Sequence, residues 1–445
     1  MTIDLDLLKR IAGAACDAAI GAGAEFADVS CGRGTNLGVD IENSAIKSTD
    51  AHTSGGISVR AIYKGGTGWS SCDVLTVDAA AASGRDAARL ARLAEPDPDF
   101  ITLPSPAESY PEVDGLWDER IAALDAKSVI RYALDNIDGA LAVCSDANAR
   151  GGFSRGFHGN ALVNSLGVSL ASAGSYVGGH IMAIVKRGDD VGSFYDFDSA
   201  RVMDDFEPAG IGASAAAQAM RFLGARKIET ARMPVILGPL ASRSVLYGII
   251  GGADAEDIQR GRSYLMGKLG EKIASDVVTI TDNPLIPRGL GSRPYDSEGV
   301  PSQPLTIVEN GVLKTYLYSS YTAGKAGVKP TGHGSRGGGA SPSNLVPKLG
   351  EMTGDEIIRS TREGLYINMG GLSPNDVTGD VSASVDFGMK IENGELAYPV
   401  MSTMVGGKFL DMLANIDAIS IDYREEPGMI MPTLRIQDVQ VAGGK

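Results

Sequence analysis

Residues 306–316 read TIVENGVLKTY, and this stretch decides the fold class of the second half of the chain. Apolar and polar residues alternate on both sides of Asn310-Gly311, the dipeptide that best suits the two-residue turn of a hairpin. Residues 389–396, MKIENGEL, repeat this pattern around Asn393-Gly394. The two stretches predict hairpins, and therefore a second half that consists mainly of antiparallel sheet.

The first half mixes helical and strand patterns. Residues 79–94 are rich in alanine and arginine and predict a helix, whereas residues 27–33 and 37–41 predict two short strands. Five prolines between residues 95 and 111 exclude a helix there and predict an extended connector. Helices and strands follow one another without a regular βαβ alternation, so we predict the α+β class.

The sequence pattern changes near residue 225, which predicts a boundary between two domains. Residues 1–225 are expected to form an N-terminal helix and sheet domain, which includes the proline-rich connector. Residues 226–445 are expected to form a C-terminal domain that is mainly antiparallel β. The 58 glycines recur in short clusters without a period, which favours many tight turns over long helices.

Composition excludes several classes of protein. Fifty-five acidic residues against forty basic ones give a net charge of −15, which is unsuited to binding nucleic acid phosphates. The chain contains no apolar run of about 18 residues and no signal peptide pattern, so we expect no membrane partner. Its four cysteines are widely spaced and form no CxxC motif, which is typical of a reducing cytosol. We therefore predict a cytoplasmic protein.

Local motifs for catalysis are weak. The four histidines, at positions 52, 158, 180 and 333, are too far apart for the paired histidines of a zinc peptidase helix. Residues 152–156, GFSRG, match the GxSxG pattern around Ser154, but the surrounding sequence predicts antiparallel strands instead of a strand, turn and helix. Ser154 therefore remains a candidate nucleophile only for an alternative function.

A second candidate site is the glycine-rich stretch at residues 331–339, TGHGSRGGG. Its composition predicts a loop, and glycine permits close approach of another backbone. A flap that faces a peptide, with His333, Ser335 and Arg336 near the cavity, is one interpretation. A solvated structural loop fits the composition equally well.

Several blocks of sequence together resemble the TldD/PmbA family, once described as modulators of DNA gyrase. The resemblance is strongest over residues 234–443, where the order and spacing of the blocks are more specific than any single block. The blocks are YDSEGVPSQ at 295–303, SPSNL at 341–345, TGDVS at 378–382, IENGELAYPV at 391–400 and PTLRI at 432–436.

This resemblance also suggests which branch of the family the chain belongs to. TldD-like subunits carry a zinc helix of the form HExxxH and a further cysteine ligand near the C-terminus. Here SVLYGIIGG at residues 244–252 aligns with that helix, so that Tyr247 and Gly252 replace the histidines and Gly248 replaces the glutamate. The C-terminal stretch EPGMIM at residues 426–431 contains no cysteine. The pattern is that of the PmbA (TldE) branch, and we expect no catalytic residue and no metal in this chain.

The resemblance implies a non-catalytic subunit of a metallopeptidase complex that cleaves unfolded or modified peptides, including leader peptides. Its partner is then a TldD-like subunit that holds the zinc, or a second copy of this chain. Two alternatives remain open: a self-sufficient hydrolase with an unrecognised site, and a regulatory homodimer without peptidase activity.

Overall fold

A computed structural model describes residues 3–444, and its first half is organised around a six-stranded antiparallel sheet. The strand order is β3-β2-β1-β4-β5-β6. Two long hairpins, β1–β2 and β4–β5, form the centre of the sheet. They are joined through β1, whose residues around Leu37 pair with β2 on one side and with β4 on the other. The strands are β1 (Phe26–Glu42), β2 (Ala45–Tyr63), β3 (Gly66–Cys72), β4 (Asn148–Asn164), β5 (Ser169–Arg187) and β6 (Asp190–Ala200).

Helices cover one face of this first sheet. The helices of the first half are α1 (Leu5–Gly21), α2 (Val77–Ala91), α3 (Glu119–Ala123), α4 (Ala126–Val143) and α5 (Ile211–Arg221). Val29 and Cys31 of β1 belong to one core with α1 and α2, and Leu37 and Val39 belong to another core with α4 and α5. All four residues have odd numbers and side chains alternate along a strand, so both helix pairs lie on the same face. Even-numbered residues of β1 occupy the opposite face.

The second half contains a twelve-stranded mixed sheet, in which the path β10-β9-β8-β11-β18-β7-β12-β14-β15 carries a branch through β18 to β16, β13 and β17. Most pairs are antiparallel, and the pairs β11–β18 and β12–β7 are parallel. The strands are β7 (Ala231–Leu237), β8 (Ile280–Asp282), β9 (Leu305–Glu309), β10 (Val312–Leu313), β11 (Leu345–Pro347), β12 (Glu363–Met369), β13 (Asp380–Val385), β14 (Phe387–Glu392), β15 (Glu395–Pro399), β16 (Thr403–Lys408), β17 (Ile416–Glu426) and β18 (Met429–Ala442).

The largest hydrophobic core lies between this sheet and the helix that follows β7. Val245, Ile249 and Ile250 of that helix are buried against strand residues such as Val235 and Leu434. The helices of the second half are α6 (Pro239–Gly252), α7 (Ala255–Gln259), α8 (Ser320–Ala326), α9 (Gly354–Arg359) and α10 (Phe409–Ala414).

The α+β class and both predicted hairpins are confirmed. Asn310 and Asn393 have φ angles of 47° and 52°, and the glycines that follow them have φ of 78° and 80°, as a type I′ turn requires. One detail was wrong: the strands predicted at 27–33 and 37–41 are the single strand β1, because residues 34–36 also pair on both sides. Residues 95–111 contain no helix or strand, as predicted.

Within residues 3–444, no helix is both long enough and apolar enough to span a membrane. Three features lead to the candidate site: a first sheet with one face that no helix covers (its uncovered face), a mixed sheet with a buried helix, and the loops that join the two sheets.

Candidate functional site

Helix α6 is the element that sequence resemblance assigns to the zinc site. It begins at Pro239, where the missing amide hydrogen of proline is not needed, and its last residue is Gly252. The helix is largely buried, so packing against neighbouring residues restricts which side chains it can carry. The three positions that correspond to zinc ligands and base therefore have defined surroundings.

Two of these positions, Gly248 and Gly252, are covered by aromatic rings. The Tyr264 hydroxyl donates a hydrogen bond to the Gly248 carbonyl oxygen at 2.7 Å, and its ring meets the Phe409 ring edge to face at 5.8 Å. A Cβ atom at Gly248 would lie 2.6 Å from Phe409 Cζ. A Cβ atom at Gly252 would lie 2.8 Å from the Tyr264 ring. No side chain fits at either position without displacing this aromatic pair.

The third position, Tyr247, is 40% exposed, and its ring lies 5.1 Å from the Arg243 guanidinium. A zinc site needs three or four nitrogen, sulfur or oxygen ligands, and the two glycines offer no side-chain ligand. Across residues 3–444, no group of three or more His, Cys, Asp and Glu residues is arranged to hold a metal. The residues of α6 therefore do not fit zinc.

The C-terminal stretch expected to replace the cysteine ligand forms the turn between β17 and β18. Glu426 is 7% exposed at this turn, and its Oε1 accepts a hydrogen bond from the Arg424 guanidinium, which also pairs with Asp196 at 2.7 Å. Burial raises the pKa of Glu426 to about 7, an effect that Arg424 partly offsets. The turn thus carries a buried carboxyl group in place of a thiol.

The loop at residues 332–339 lies between the two halves of the molecule. His333 is buried, and its Nε2 lies 2.9 Å from Asp282 Oδ2. At the other end of the loop, the Ala340 amide donates to Asp254 Oδ2 at 3.2 Å, just beyond the last residue of α6. Ser335 is partly exposed. The loop therefore approaches α6, while His333 has its partner within the chain.

Arg336, in the same loop, is held by the first sheet. Its guanidinium pairs with Asp28 and donates to the Ser58 carbonyl oxygen at 2.9 Å. Arg60 binds the other carboxylate oxygen of Asp28 at 2.7 Å, and both guanidinium groups lie over the Trp69 ring. A peptide-facing role for His333, Ser335 and Arg336 stays a prediction. The two buried side chains, those of His333 and Arg336, are engaged in contacts within the chain.

Two buried carboxyl groups support this loop. Asp296 accepts the amide hydrogens of Glu298, Val300 and Gly334, and Glu298 accepts that of Ser320 at 2.7 Å. Burial raises the pKa of both groups, and Glu298 reaches about 7 because Asp296 adds to the effect. These residues belong to the YDSEG block, so that block holds the loop in place.

Ser154 lies in the middle of β4 and pairs with Gly38 of β1 and Gly178 of β5. It therefore lies on an antiparallel strand without the strand, turn and helix of a nucleophile elbow. The structure nevertheless brings Ser154 to one groove of about 330 Å³ with Asp40 and His180. Residues 3–444 show no hydrogen bond among these three side chains.

This groove, on the uncovered face of the first sheet, was missed by sequence analysis. Part of its signal was present in β1, where Gly38, which lines the groove, shares the even-numbered face with Gly32, Gly34 and Asp40. A run of glycines on one face leaves a strand without side chains there, and the pattern predicts either close packing or an open groove. Sequence alone did not distinguish these two outcomes.

Comparison with known proteins adds to this geometry. Family models match the chain as PmbA/TldA metallopeptidase domain 1 at residues 27–94, the central domain at 119–223 and the C-terminal domain at 230–443. The chain is 24% identical to metalloprotease PmbA of Escherichia coli O157:H7 over 434 residues, which cover 94% of this chain and 92% of that protein. It is 36% identical over 223 residues, 48% of each chain, to a metalloprotease of Methanothermobacter thermautotrophicus.

Solved structures give the same result for the fold. A Thermotoga maritima protein described as a DNA gyrase modulator superposes with a TM-score of 0.87 at 26% identity, over 98% of this chain and 100% of that one. TldE from Thermococcus kodakarensis superposes with a TM-score of 0.87 at 22% identity, over 96% and 99% of the two chains. The second likeness concerns the fold alone.

Proposed function

Since the chain belongs to the PmbA/TldD metallopeptidase family, we propose that it is the subunit without a metal centre in a two-subunit peptidase. A TldD-like partner then supplies zinc and the base that activates water. This chain completes the chamber in which an unfolded or modified peptide is cleaved, in the cytoplasm. A second copy of this chain is the alternative partner.

The packing around α6 carries this proposal. A catalytic helix needs room for ligand side chains and for a water molecule on the metal. At Gly248 and Gly252 that room is taken by Phe409 and Tyr264, whose contacts with a Cβ atom would be under 3 Å. Phe409 and Tyr264 fill the space that ligand side chains would need, which supports a structural role for the helix.

A cleavage assay with three samples tests this proposal. An unstructured peptide is incubated with this chain, with a TldD-like subunit, and with the mixture. We expect cleavage in the mixture that chelators abolish, and none with this chain alone. A mixture whose TldD-like subunit lacks the first histidine of its HExxxH helix is the matched control and should be inactive. Chelator-resistant cleavage by this chain alone would refute the proposal.

A self-sufficient serine hydrolase is the second candidate, because Ser154, His180 and Asp40 line one groove. These are the residue types of a catalytic triad, although the groove lies on an antiparallel sheet. Covalent labelling of Ser154 by a fluorophosphonate probe would favour this candidate. Absence of labelling, with the fold intact, would exclude it.

A further inference from the structure

The uncovered face of the first sheet carries a groove whose floor is mainly backbone. Gly38 of β1, Ser154 of β4 and Gly178 of β5 are direct neighbours across the strands, so two of three floor positions lack a side chain. The groove has a volume of about 330 Å³. Because glycine lets another chain approach closely, this floor can accept an extended segment of backbone with its side chains.

Aromatic side chains form the walls of the groove. On one side, the Tyr176 hydroxyl donates to Asn36 Oδ1 at 2.7 Å, which holds the ring beside the floor. On the other side, the His180 and Tyr195 rings are 5.4 Å apart, and the Tyr195 and Phe197 rings are 5.1 Å apart. The faces of tyrosine and phenylalanine rings attract cations.

The charge of the groove is negative. Asp40 and Asp50 both line it, and neither forms a salt bridge with Lys or Arg in the part of the chain that the structure describes. Asp40 accepts a hydrogen bond from the Ser48 hydroxyl at 2.8 Å, and one Asp50 oxygen lies 3.1 Å from the His52 ring. Burial lowers the pKa of His180 despite the nearby Asp40, so the His180 ring does not neutralise these carboxylates at neutral pH.

A second cavity, of about 320 Å³, adjoins the groove at Phe197 and Ser199. Its guanidinium group, that of Arg424, is already paired with Asp196 and Glu426. Glu426 is 7% exposed, and its Oε2 has no hydrogen-bond partner among residues 3–444. The carboxylates that line the cavity are those of Asp196, Asp198, Glu207, Glu425 and Glu426.

We propose that this acidic groove, defined by Asp40, Asp50, Tyr176, His180 and Tyr195, binds an extended peptide segment that carries basic side chains. One Lys or Arg side chain lies over Gly38, with its cation between the two aspartates and the aromatic rings. A second basic side chain enters the adjoining cavity. The inference rests on the proposed function, because it takes the occupant to be a peptide substrate.

Isothermal titration calorimetry on this chain alone tests the inference. The probes are two Gly-Ser peptides of equal length, one with two arginines and one with citrulline, a neutral isostere, at the same positions. The arginine peptide is expected to bind about tenfold more tightly at low salt. The double variant Asp40→Asn/Asp50→Asn is expected to lose this preference. Both aspartates are exposed, so the variant should fold normally.

The matched control is Asp135→Asn/Asp138→Asn, which removes the same charge from exposed positions of α4 on the opposite face of the sheet. It should keep the tenfold preference. Equal binding of the two peptides by the parent chain would overturn the inference, as would an equal loss of preference in both double variants. An inactive mixture with intact arginine preference would contradict only the proposed function. An active mixture without that preference would contradict only this inference.

Discussion

Glycines serve opposite purposes in α6 and on the uncovered face of the first sheet. In α6, Gly248 and Gly252 lie under the rings of Phe409 and Tyr264, so that the missing side chains make room for packing. On the sheet, a Cβ atom at Gly38 would meet only the ends of flexible side chains, Asp50 Oδ1 at 3.2 Å and Asn36 Nδ2 at 3.7 Å. The same residue type thus closes one region and leaves the other open.

The difference separates glycines that make room for packing from glycines that leave a surface open. A glycine that replaces a catalytic side chain could leave an empty site, which a substitution would restore. Around α6 the neighbouring aromatic residues, Phe409 and Tyr264, fill the space that such a side chain would need. On the sheet the space above Gly38 remains available to a ligand.

The largest effect on stability is expected when the residues of the HExxxH zinc motif are introduced into α6. The triple variant Tyr247→His/Gly248→Glu/Gly252→His should be destabilised by about 2–6 kcal/mol, since each overpacked position costs about 1–3 kcal/mol. It should also fail to bind zinc tightly. Urea unfolding and elemental analysis check these outcomes.

The control for that experiment is Tyr247→His alone. Tyr247 is 40% exposed, so this change should alter the free energy of unfolding by less than about 0.5 kcal/mol. A triple variant that unfolds at the parent's urea midpoint and binds one zinc would show that Tyr264 and Phe409 do not exclude side chains at positions 248 and 252.

Two adjacent glycines of α6 allow a sharper comparison. A Cβ atom at Gly251 would have no neighbour within 4 Å, whereas one at Gly252 would meet the Tyr264 ring. Gly251→Ala should therefore stabilise the chain by about 0.5–1 kcal/mol through helix propensity. Gly252→Ala should destabilise it by about 1–3 kcal/mol. Equal changes in the free energy of unfolding would contradict the packing described for Tyr264.

The sequence predicted much of the fold because local signals and tertiary contacts agreed. Asn310-Gly311 and Asn393-Gly394 allow only a narrow set of turns, and the alternation around them specifies strand faces. The pattern of residues 254–266 also predicts a helix, and this prediction was wrong beyond its first turns, since α7 ends at Gln259 and Gly261 adopts a φ of 69°. A single glycine within a helical pattern does not by itself predict where the helix ends.

The candidate site was predictable only in part. The family resemblance located Gly248 and Gly252 on α6, where a zinc helix has its glutamate and second histidine. No local pattern placed Tyr264 and Phe409 above these glycines, because the two aromatic residues lie 12 and 157 residues beyond Gly252. The groove depends on the register of β1, β4 and β5, which brings Asp40 and His180 together across Gly152. Such long-range pairings are not encoded in any short stretch of sequence.

A pH-dependent effect is expected at the turn between β17 and β18. Glu426 has a pKa of about 7 in the folded chain, above its ordinary value of 4.5, so the folded state binds more protons between these pH values. Stability from this group is present at low pH and is lost as the pH rises through 7. Relative to the parent, Glu426→Gln should gain about 2–3 kcal/mol between pH 5 and pH 8.

Urea unfolding at a series of pH values measures this change, and Glu425→Gln is the matched control. Glu425 is exposed, so its variant should follow the pH profile of the parent. Identical profiles for Glu426→Gln and the parent would mean that Glu426 remains ionised and hydrated in the folded chain.

The smallest effect is expected at Ser154. Ser154→Ala should lower cleavage by the reconstituted pair by no more than about fivefold, because one neutral hydrogen bond contributes about 1 kcal/mol. Loss of a catalytic serine costs about a millionfold in rate. A loss of several orders of magnitude, with circular dichroism unchanged, would revive the serine hydrolase.

The zinc content of the reconstituted pair tests whether this chain is the subunit without a metal centre. Each subunit is purified without chelators, the two are mixed, and the metal is measured before and after the subunits are separated. We expect about one zinc per pair, all of it in the TldD-like subunit and none in this chain. About one tightly bound zinc in this chain would contradict its proposed role as the subunit without a metal centre.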